Sequence, residues 1–490
     1  MASPKKIVFI IPPIMDKLWT YSSDLLYLGA AGLAARLIAE GHEVSAIDCA
    51  VDCRGLGELK ERLRQVRPDM AAVPLLYGTV PNAYKIAAAV KEACGAQVVF
   101  GGLPATFSAE RLLAECPQAD ACVAGEGELA LSALTAGGDP AGIPGLVFRR
   151  DGAVISTGPG ERVANLDDLP LPARHLFPQE KYRVYSLRTF RQLYTTNVET
   201  KRGCPFACEF CLQAPKEGRR YRLRSPEKVI DELRAIRREF PFMGRVMFVD
   251  NDFLAPYEHG MAIVDGIIAA GLDKELEFMV AARVDNFLKG GDQLIEKFAR
   301  ANIRLVYFGV ESVSAGNRER LGKIKPGYDL PALLERMRAG GVHTMCSYIF
   351  GFGNEDEAAM LETVKASMAD APSMVKYNIL TPYPGTATHG ECAAAGRLLP
   401  GVPLWHYDNA HQTVRHPADC AAFFRAAYRR YYFNPALLKK IRWTGFFGAN
   451  KDMKLLAFAQ HVAKRELQSF ARDAWRAVKF GLFRSGDLAG

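Results

Sequence analysis

The chain has 490 residues, a formal net charge of +8, 49% hydrophobic residues and 24% charged residues. This length is more than one ordinary hydrophobic core organises, so two or three domains are expected and a single small module is excluded. The balance of hydrophobic and charged residues excludes a disordered chain and an integral membrane protein. No apolar stretch approaches the ~20 residues of a spanning helix, and the short apolar run after Lys6 lacks the features of a signal peptide. We therefore expect a cytoplasmic protein.

Residues 5–140 alternate between short apolar runs and segments with helical periodicity. The predicted strands are Lys6–Ile11, Glu43–Ile47, Met70–Leu75, Gln97–Phe100 and Ala121–Ala124, and the predicted helices are Leu28–Glu40, Leu56–Val66, Asn82–Ala93 and Ala109–Glu115. This order predicts an α/β fold, with a Rossmann-like, doubly wound parallel sheet over residues 1–140. Ligands of such sheets bind beyond the carboxyl ends of the strands, in the loops that follow them.

A linker and a second alternating series follow. Proline, glycine and aspartate accumulate over residues 141–191, where periodicity fades, which is typical of a linker. The predicted strands of the second series are Leu193–Glu199, Val246–Val249, Glu277–Ala281, Leu305–Gly309, His343–Phe350 and Val375–Leu380, and the helices between them are Pro226–Phe240, Tyr257–Ala270, Asp292–Ala301, Leu330–Ala339 and Asp356–Met368. Over residues 192–400 this series predicts a partial (βα)6 TIM-like barrel, in which chemistry gathers at the C-terminal ends of the strands.

Residues 401–490 are predicted to form a third, helical region rich in arginine and aromatic side chains. Between Arg425 and Arg484 there are fourteen basic and three acidic residues, a net charge of +11, so the rest of the chain is slightly acidic. Three interpretations stay open: a helical cap on the barrel with solvated arginines, contact with an anionic membrane surface, and, least favoured, binding of nucleic acid. Membrane contact would place the protein peripherally at the inner face of the membrane.

Three of the eleven cysteines, Cys204, Cys208 and Cys211, fall within eight residues shortly after the first barrel strand. Three thiolates in one loop can ligate three irons of a [4Fe–4S] cluster and leave the fourth iron open. A zinc site is the alternative, but it needs a fourth protein ligand, and no cysteine or histidine follows Cys211 before His259. The other cysteines are scattered singly, and we expect them to behave as small hydrophobic residues in a reducing compartment.

The C-x₃-C-x₂-C spacing, with an aromatic residue before the last cysteine, resembles the signature of the radical S-adenosylmethionine (SAM) superfamily. The resemblance implies that SAM binds the open iron and is cleaved reductively to a 5′-deoxyadenosyl radical, with the electron coming from an external donor of the flavodoxin or ferredoxin type. It also implies SAM contacts near the ends of the strands, at Phe210, Asn251, Asp252, Arg283, Glu311 and Ser312. Arg283 could equally pair with Asp285 or Glu311.

The loops of residues 1–140 together resemble the cobalamin-binding domain that precedes the barrel in one branch of this superfamily. The resemblance implies cobalamin contacts at Pro13, Tyr77, Gly78, Thr79, Gly101, Gly102, Pro104, Gly125, Glu126 and Gly127. The chain lacks an Asp-x-His-x-x-Gly motif, so no histidine is placed to be the lower ligand of cobalt. Some members of the branch bind cobalamin without such a ligand, and others keep the domain without needing the cofactor.

The resemblance implies a cobalamin-dependent C-methyltransferase that acts on an unactivated carbon of a small, lipophilic molecule, since branch members with related tails act on hopanoids and porphyrin esters. The second interpretation is an oxidoreductase or cyclase without methyl transfer, similar to the anaerobic magnesium-protoporphyrin ester cyclase. Methylthiolation of transfer RNA would require an N-terminal cysteine trio, and Cys49, Cys53 and Cys94 are not arranged as one. A non-enzymatic cluster-binding or scaffold protein is the interpretation from a different class.

Overall fold

The computed structural model describes residues 3–14, 25–186, 191–218, 220–321, 329–353, 355–432 and 434. The chain divides into two compact units, residues 1–184 with 193–441 and residues 185–192 with 442–490. The fold described below is that of the larger unit. Within the described residues, no helix is both long enough and apolar enough to cross a membrane.

The N-terminal part of the chain forms a seven-stranded sheet covered by helices. Its elements are β1 (Lys6–Ile11), α1 (Leu28–Ala39), β2 (Glu43–Asp48), α2 (Leu56–Val66), β3 (Met70–Leu75), α3 (Val80–Cys94), β4 (Gln97–Gly102), α4 (Leu103–Glu115), β5 (Ala121–Val123), α5 (Glu128–Thr135), β6 (Leu146–Arg150) and β7 (Ala153–Ser156). The strand order is β2-β1-β3-β4-β5-β6-β7, and the first five of these strands are parallel. Buried apolar residues cover both faces of the sheet. The predicted doubly wound sheet is confirmed.

Three features of this part differ from the sequence prediction, and the first is helix α5 (Glu128–Thr135), which was not predicted. Strands β6 and β7 form an antiparallel hairpin inside the predicted linker, with the turn at Asp151 and Gly152, whose φ angles are +53° and +80°. An Asp-Gly pair is a common hairpin turn, so the signal was present in the sequence. Helix α4 begins at Leu103, six residues before its predicted start, because Pro104 suits the first turn of a helix and the loop after β4 is correspondingly short.

The remaining elements form the predicted partial barrel, which is confirmed. They are β8 (Arg183–Tyr185), β9 (Gln192–Val198), β10 (Lys201–Gly203), α6 (Gln213–Glu217), β11 (Tyr221–Leu223), α7 (Pro226–Glu239), β12 (Arg245–Phe248), α8 (Tyr257–Ala269), β13 (Glu277–Ala282), α9 (Val284–Leu288), α10 (Gly291–Arg300), β14 (Ile303–Glu311), α11 (Ala315–Arg320), α12 (Leu330–Ala339), β15 (His343–Phe350), α13 (Glu357–Asp370), β16 (Met374–Ile379), α14 (Ala387–Ala394) and α15 (Cys420–Tyr432). The strand order is β16-β15-β14-β13-β12-β9-β8, and the six strands from β9 to β16 in this sheet are parallel. Strands β10 and β11 make a separate antiparallel pair.

The sheet and the barrel share one hydrophobic core where they meet. Leu212, which follows the cysteine loop, and Leu404 and Tyr407, which lie beyond the last barrel strand, are buried in the same cluster as residues of β1, β3 and β4. The amide of Asn197 on β9 donates to the carbonyl of Leu26 at 2.9 Å. The cysteine loop is therefore anchored against the N-terminal sheet at its C-terminal end.

The described part of the C-terminal region is a cap on the barrel. On α15, the hydroxyl of Tyr431 donates to the carbonyl of Pro372 at 2.6 Å, and the hydroxyl of Tyr428 accepts from the amide of Tyr377 at 3.0 Å. Arg425 and Arg429 on the same helix are exposed. The cap interpretation holds for this helix because its aromatic side chains are used in packing, and residues 435–490, which carry most of the predicted basic tail, lie outside the described residues.

Candidate functional site

The three cysteines lie on a loop between β10 and α6, at the carboxyl end of β9, the first parallel strand of the barrel. Cys204, Cys208 and Cys211 are each partly exposed, and the amide of Cys211 donates to the carbonyl of Cys208 at 3.0 Å. Three partly exposed thiols on one loop suit an iron–sulfur cluster, whose iron prefers thiolate ligands. Among the described residues, no three histidine, cysteine, aspartate or glutamate side chains converge as a metal site. The assignment of the three cysteines as cluster ligands therefore stays a prediction.

The start of the cysteine loop is held by Asp250, at the end of β12. Its carboxylate accepts from the amide of Thr200 at 2.9 Å, from the hydroxyl of Thr200 at 2.7 Å and from the amide of Lys201 at 3.2 Å. The ammonium of Lys201 donates to the carbonyl of Phe253 at 3.0 Å. Sequence reasoning singled out the run that contains Asp250 but not this positioning role, which depends on two strands being neighbours.

Phe210 lies in an apolar cluster at the carboxyl ends of the barrel strands. It packs against buried Leu321, Ile349, Phe352 and Leu380. A flat apolar surface of this kind suits a heteroaromatic ring such as the adenine of SAM. The sequence motif indicated Phe210, but its apolar partners come from distant segments and were not predicted as site residues.

Glu311 and Ser312 lie at the end of β14, where the register with β15 shifts. Glu311 has a φ of +68°, a conformation that is rare for a residue with a side chain and is often found at functional sites. The hydroxyl of Ser347 donates to its carboxylate at 3.5 Å. Lys376, on β16, lies close enough for its charge to act on Glu311; burial lowers the pKa of Lys376, and Glu311 opposes that shift. Lys376 is a site residue that sequence reasoning missed.

Ser312 belongs to a buried polar chain that also includes Asn317 and Glu355. The amide of Asn317 donates to Ser312 Oγ at 3.4 Å and to Glu355 Oε1 at 3.0 Å. Glu355 Oε2 accepts from the backbone amides of Gly351 and Phe352 at 3.0 and 3.2 Å. Burial nevertheless raises the pKa of Glu355 to about 7. The loops after β14 and β15 are thereby joined through one carboxyl group.

We expect Glu355 to contribute less to thermal stability at pH 8 than at pH 5, and the substitution Glu355→Gln to remove this pH-dependent contribution. Burial raises the pKa of Glu355 from its ordinary value of 4.5 to about 7 in the fold, so folding favours the protonated form, and the stability that this group contributes is lost as the pH rises through this range. The shift corresponds to about 3 kcal/mol. Melting temperatures at pH 5 and pH 8 test this, with exposed Glu362→Gln as control. If Glu355→Gln changed the melting temperature by the same amount at pH 5 and at pH 8, the prediction would be contradicted.

The other three predicted SAM contacts differ from one another in burial and in bonding partners. Asn251 is exposed, whereas Asp252 is buried and accepts from Asn286 Nδ2 at 2.6 Å. Arg283 makes two bonds of 2.9 Å to Asp285, and its guanidinium lies 3.9 Å from the ring centre of Phe206 in the cysteine loop. The structure thus has the Asp285 pair that the sequence left open, and it places Arg283 against the cysteine loop. The SAM contacts as a set stay a prediction.

A cavity of about 420 Å³ lies along the N-terminal sheet, between α1 and the carboxyl ends of β3, β4 and β5. Gly29, Gly32, Gly101 and Gly125 line it, and a Cβ atom added at any of the four would meet open space. Side chains there would therefore narrow the cavity. Glycine at these positions would let a flat ring system, such as the corrin of cobalamin, approach the backbone closely.

The predicted cobalamin contacts divide into two groups. Gly101, Gly102, Gly125, Glu126 and Gly127 line the cavity. The other five, Pro13, Tyr77, Gly78, Thr79 and Pro104, are not among its lining residues and have structural contacts instead. Thus the hydroxyl of Thr79 donates to the carbonyl of Leu76 at 2.8 Å, and the buried ring of Tyr77 lies 5.2 Å from that of Tyr383 in the barrel.

A second cavity of about 770 Å³ opens beside the first and shares Gly125, Glu126 and Lys216 with it. Its wall continues from α4 to α14 and includes Phe107, Arg111, Arg162, Pro384, His389, Leu404 and Tyr407. The backbone of Thr388, next to His389, donates to the carbonyl of Glu209 in the cysteine loop at 3.1 Å. The second cavity therefore borders the glycine-lined cavity, and α14, which supplies His389 to its wall, also contacts the cysteine loop.

Two family models match the chain. The B12 binding domain matches residues 18–135, and the Radical SAM superfamily matches residues 198–366. With the fold and the cysteine loop, these matches define a radical SAM enzyme that carries an N-terminal cobalamin-binding domain. The two matched domains imply a [4Fe–4S] cluster, SAM and cobalamin as cofactors, and methyltransferases are the more numerous kind among the similar proteins, beside cyclases.

Curated relatives cover most of the chain. It is 29% identical over 451 residues to an uncharacterised methyltransferase of Pyrococcus horikoshii, covering 89% of this chain and 94% of the relative. It is 28% identical to the hopanoid C-3 methylase of Methylococcus capsulatus, and the match covers 79% of this chain and 70% of that protein. It is 25% identical to the anaerobic magnesium-protoporphyrin IX monomethyl ester cyclase of Cereibacter sphaeroides, and the match covers 69% of this chain and 56% of the cyclase.

Solved structures have the same fold. The cobalamin-dependent SAM radical enzyme OxsB superposes with a TM-score of 0.69 at 15% identity, covering 99% of this chain and 82% of OxsB. The radical SAM methyltransferase TsrM of Kitasatospora setae superposes with a TM-score of 0.66 at 19% identity, and the match covers 96% of this chain and 100% of TsrM. The overall fold is therefore shared with these proteins.

Proposed function

We propose that the protein transfers a methyl group from SAM, by way of cobalamin, to an unactivated carbon of a small, lipophilic molecule. One observation carries the proposal: the glycine-lined cavity is also lined by Glu199 and Arg202, which lead into the cysteine loop. A group bound in that cavity would lie against the loop that holds the cluster. Methyltransferases among the relatives support transfer, and the cyclases among them support the second interpretation, ring formation or oxidation without transfer.

We further propose the division of the chain into a cobalamin-binding domain (residues 1–140), a linker (141–191), a radical SAM barrel (192–400) and a basic helical region (401–490). The electron would come from an external donor of the flavodoxin or ferredoxin type. Peripheral contact with a membrane through the C-terminal region belongs to the same proposal. It depends on residues 435–490, outside the described part of the chain.

In this proposal Cys204, Cys208 and Cys211 hold the cluster, and the glycine loops hold cobalamin. When bound, the cluster supplies an electron that cleaves SAM, and cobalamin supplies a carrier for the methyl group. The residues of the chain position these groups and exclude water. Phe210 and its apolar partners would cover the adenine, while Glu311 and Ser312, fixed by the loops around them, would bind polar groups of SAM.

We place the substrate in the second cavity. Its apolar residues, such as Phe107, Leu404 and Tyr407, suit a lipophilic molecule. It opens beside the glycine-lined cavity, so a bound molecule would lie next to the proposed cobalamin site, and α14 in its wall contacts the cysteine loop. Arg111 and Arg162 line the same cavity and would favour a substrate with an acidic group at one end. This arrangement supports a small molecule rather than a nucleic acid.

Isotope labelling separates the two proposed activities. Anaerobic enzyme with reductant, cobalamin and an extract of small molecules from the source cells is incubated with SAM labelled in its methyl group. Label in a product other than SAM breakdown products supports methyl transfer. Deoxyadenosine together with an unlabelled, oxidised or cyclised product supports the second interpretation and contradicts the first.

A further inference from the structure

An ion cluster joins the N-terminal sheet to the strand that leads into the cysteine loop. At its centre is Arg202 on β10, whose side chain is 16% exposed. Its Nε lies 2.9 Å from Glu199, one terminal nitrogen lies 2.8 Å from Glu128, and the other lies 3.4 Å from Glu126. Each of the three guanidinium nitrogens thus meets a different carboxylate.

Two of these carboxylates belong to the loop that lines the glycine-lined cavity. Glu126 and Glu128 flank Gly127 and are 5% and 7% exposed. Burial opposes ionisation of Glu126, but the hydrogen bond from Arg222 and the charges of both arginines outweigh burial and lower its pKa. Both carboxylates line the cavity, so a molecule bound there would contact the same loop.

A second arginine strengthens the same connection. Arg222 lies directly opposite Arg202 in the β10–β11 pair, and it bonds Glu126 and the carbonyl of Val163. Glu126 also accepts from the amide of Val163 at 3.1 Å. Neighbouring arginines would repel each other, but they share the Glu126 carboxylate. One buried glutamate therefore ties both strands of the pair to the N-terminal sheet.

The backbone between Arg202 and Cys204 passes close to the opposite strand, β11. Gly203 has a φ of +99°, and a Cβ atom there would lie 2.0 Å from the carbonyl oxygen of Arg220. Only glycine fits this close approach. Because a single residue separates Arg202 from Cys204, a displacement of Arg202 would act directly on the start of the cysteine loop.

We infer that Arg202 is a positioning residue, which through Glu126 and Glu128 fixes Cys204 relative to the glycine-lined cavity. The inference rests on the proposed function, since it assumes that the cluster and cobalamin occupy these two places. Lysine keeps the charge at this position but cannot meet three carboxylates in one plane. We call the three ion pairs of Arg202 with Glu126, Glu128 and Glu199 the clamp. The substitution Arg202→Lys therefore removes the geometry of the clamp and keeps the charge.

Pulsed electron paramagnetic resonance between the reduced cluster and cob(II)alamin measures the separation of the two cofactors. The native enzyme and the control Arg234→Lys, which changes an exposed arginine that pairs with Asp231, should show the same narrow distance distribution. We expect Arg202→Lys to broaden or shift the distribution. An unchanged distribution in Arg202→Lys, with full iron and cobalt content, would overturn the inference.

A second measurement keeps the inference separate from the proposed function. If the native enzyme holds iron but no cobalt, the cobalamin proposal fails, and the clamp is judged by hydrogen exchange in residues 199–212 and 124–131 of the cluster-loaded protein. We expect Arg202→Lys to raise exchange in both segments at least ~10-fold, because they are tied together by the lost bonds. Exchange that rises in neither segment contradicts the clamp. Glu128→Gln, which removes one of the three carboxylates, replaces Arg202→Lys if that variant does not fold.

Discussion

Alanine at Cys204, Cys208 or Cys211 is expected to remove the iron–sulfur cluster and with it all cleavage of SAM. Each substitution takes away one of the three thiolates on the loop, and the open iron site needs the other three irons to be held by protein. Iron should fall from roughly four atoms per chain to a trace amount, and the broad visible absorption should vanish. Deoxyadenosine formation should drop at least ~1,000-fold. Metal analysis, the visible spectrum and chromatography of SAM products after anaerobic purification measure all three.

Cys94→Ala is the matched control for these variants. Cys94 is also partly exposed, but it lies at the end of α3, where its thiol donates to the carbonyl of Val90 at 3.3 Å. We expect this variant to keep the native iron content and activity. A cysteine loop variant that retained iron and SAM cleavage would contradict the cluster assignment and favour the binding or scaffold interpretation.

Valine at Gly101 is expected to block cobalamin while leaving the cluster intact. Gly101 is the last residue but one of β4, where a β-branched residue is compatible with the strand. Its Cβ position is open space, and the residue lines the glycine-lined cavity. The added side chain should therefore cost the fold little but collide with a ligand held against the backbone. We expect cobalamin affinity to fall at least ~100-fold, equivalent to about 3 kcal/mol. Cobalt content and equilibrium binding of hydroxocobalamin measure the effect.

The same variant tests how the two cofactors divide the reaction. With Gly101→Val, deoxyadenosine should still form, because Cys204, Cys208 and Cys211 are untouched, whereas transfer of labelled methyl to product should stop. Gly142→Val, at an exposed glycine whose Cβ position is also open, should change neither property. Normal cobalamin binding by Gly101→Val would show that the glycine-lined cavity is not the cobalamin site.

Much of the fold followed from local sequence patterns. Strands β1, β3 and β15 and helices α2 and α12 begin and end at the predicted residues. Apolar runs of strand length and amphipathic periodicity mark such elements because burial of one face is already encoded in the order of residues. The β6–β7 hairpin was missed because its second strand has mostly exposed residues, so it lacks the apolar signal of a buried strand.

The candidate site was less accessible to sequence reasoning. The cysteines and Phe210 were found because their spacing is itself the signal. Glu126 was predicted as a cobalamin contact from its glycine-rich loop; it does line the cavity, and it also binds Arg202 and Arg222 from the barrel side. Those partners lie more than seventy residues away, and no local pattern connects them.

The sequence by itself determined the class of the protein, since the cysteine spacing, the glycine-rich loops and the alternation of strands and helices are each local. Only the tertiary structure decided which groups act together. It showed that Glu355 joins two barrel loops, that glycines from α1, β4 and the loop after β5 line one cavity, and that Arg202 ties the strand before the cysteine loop to the wall of that cavity. The physical reason is that burial and ion pairing depend on distances between segments far apart in the chain, which a linear pattern does not contain.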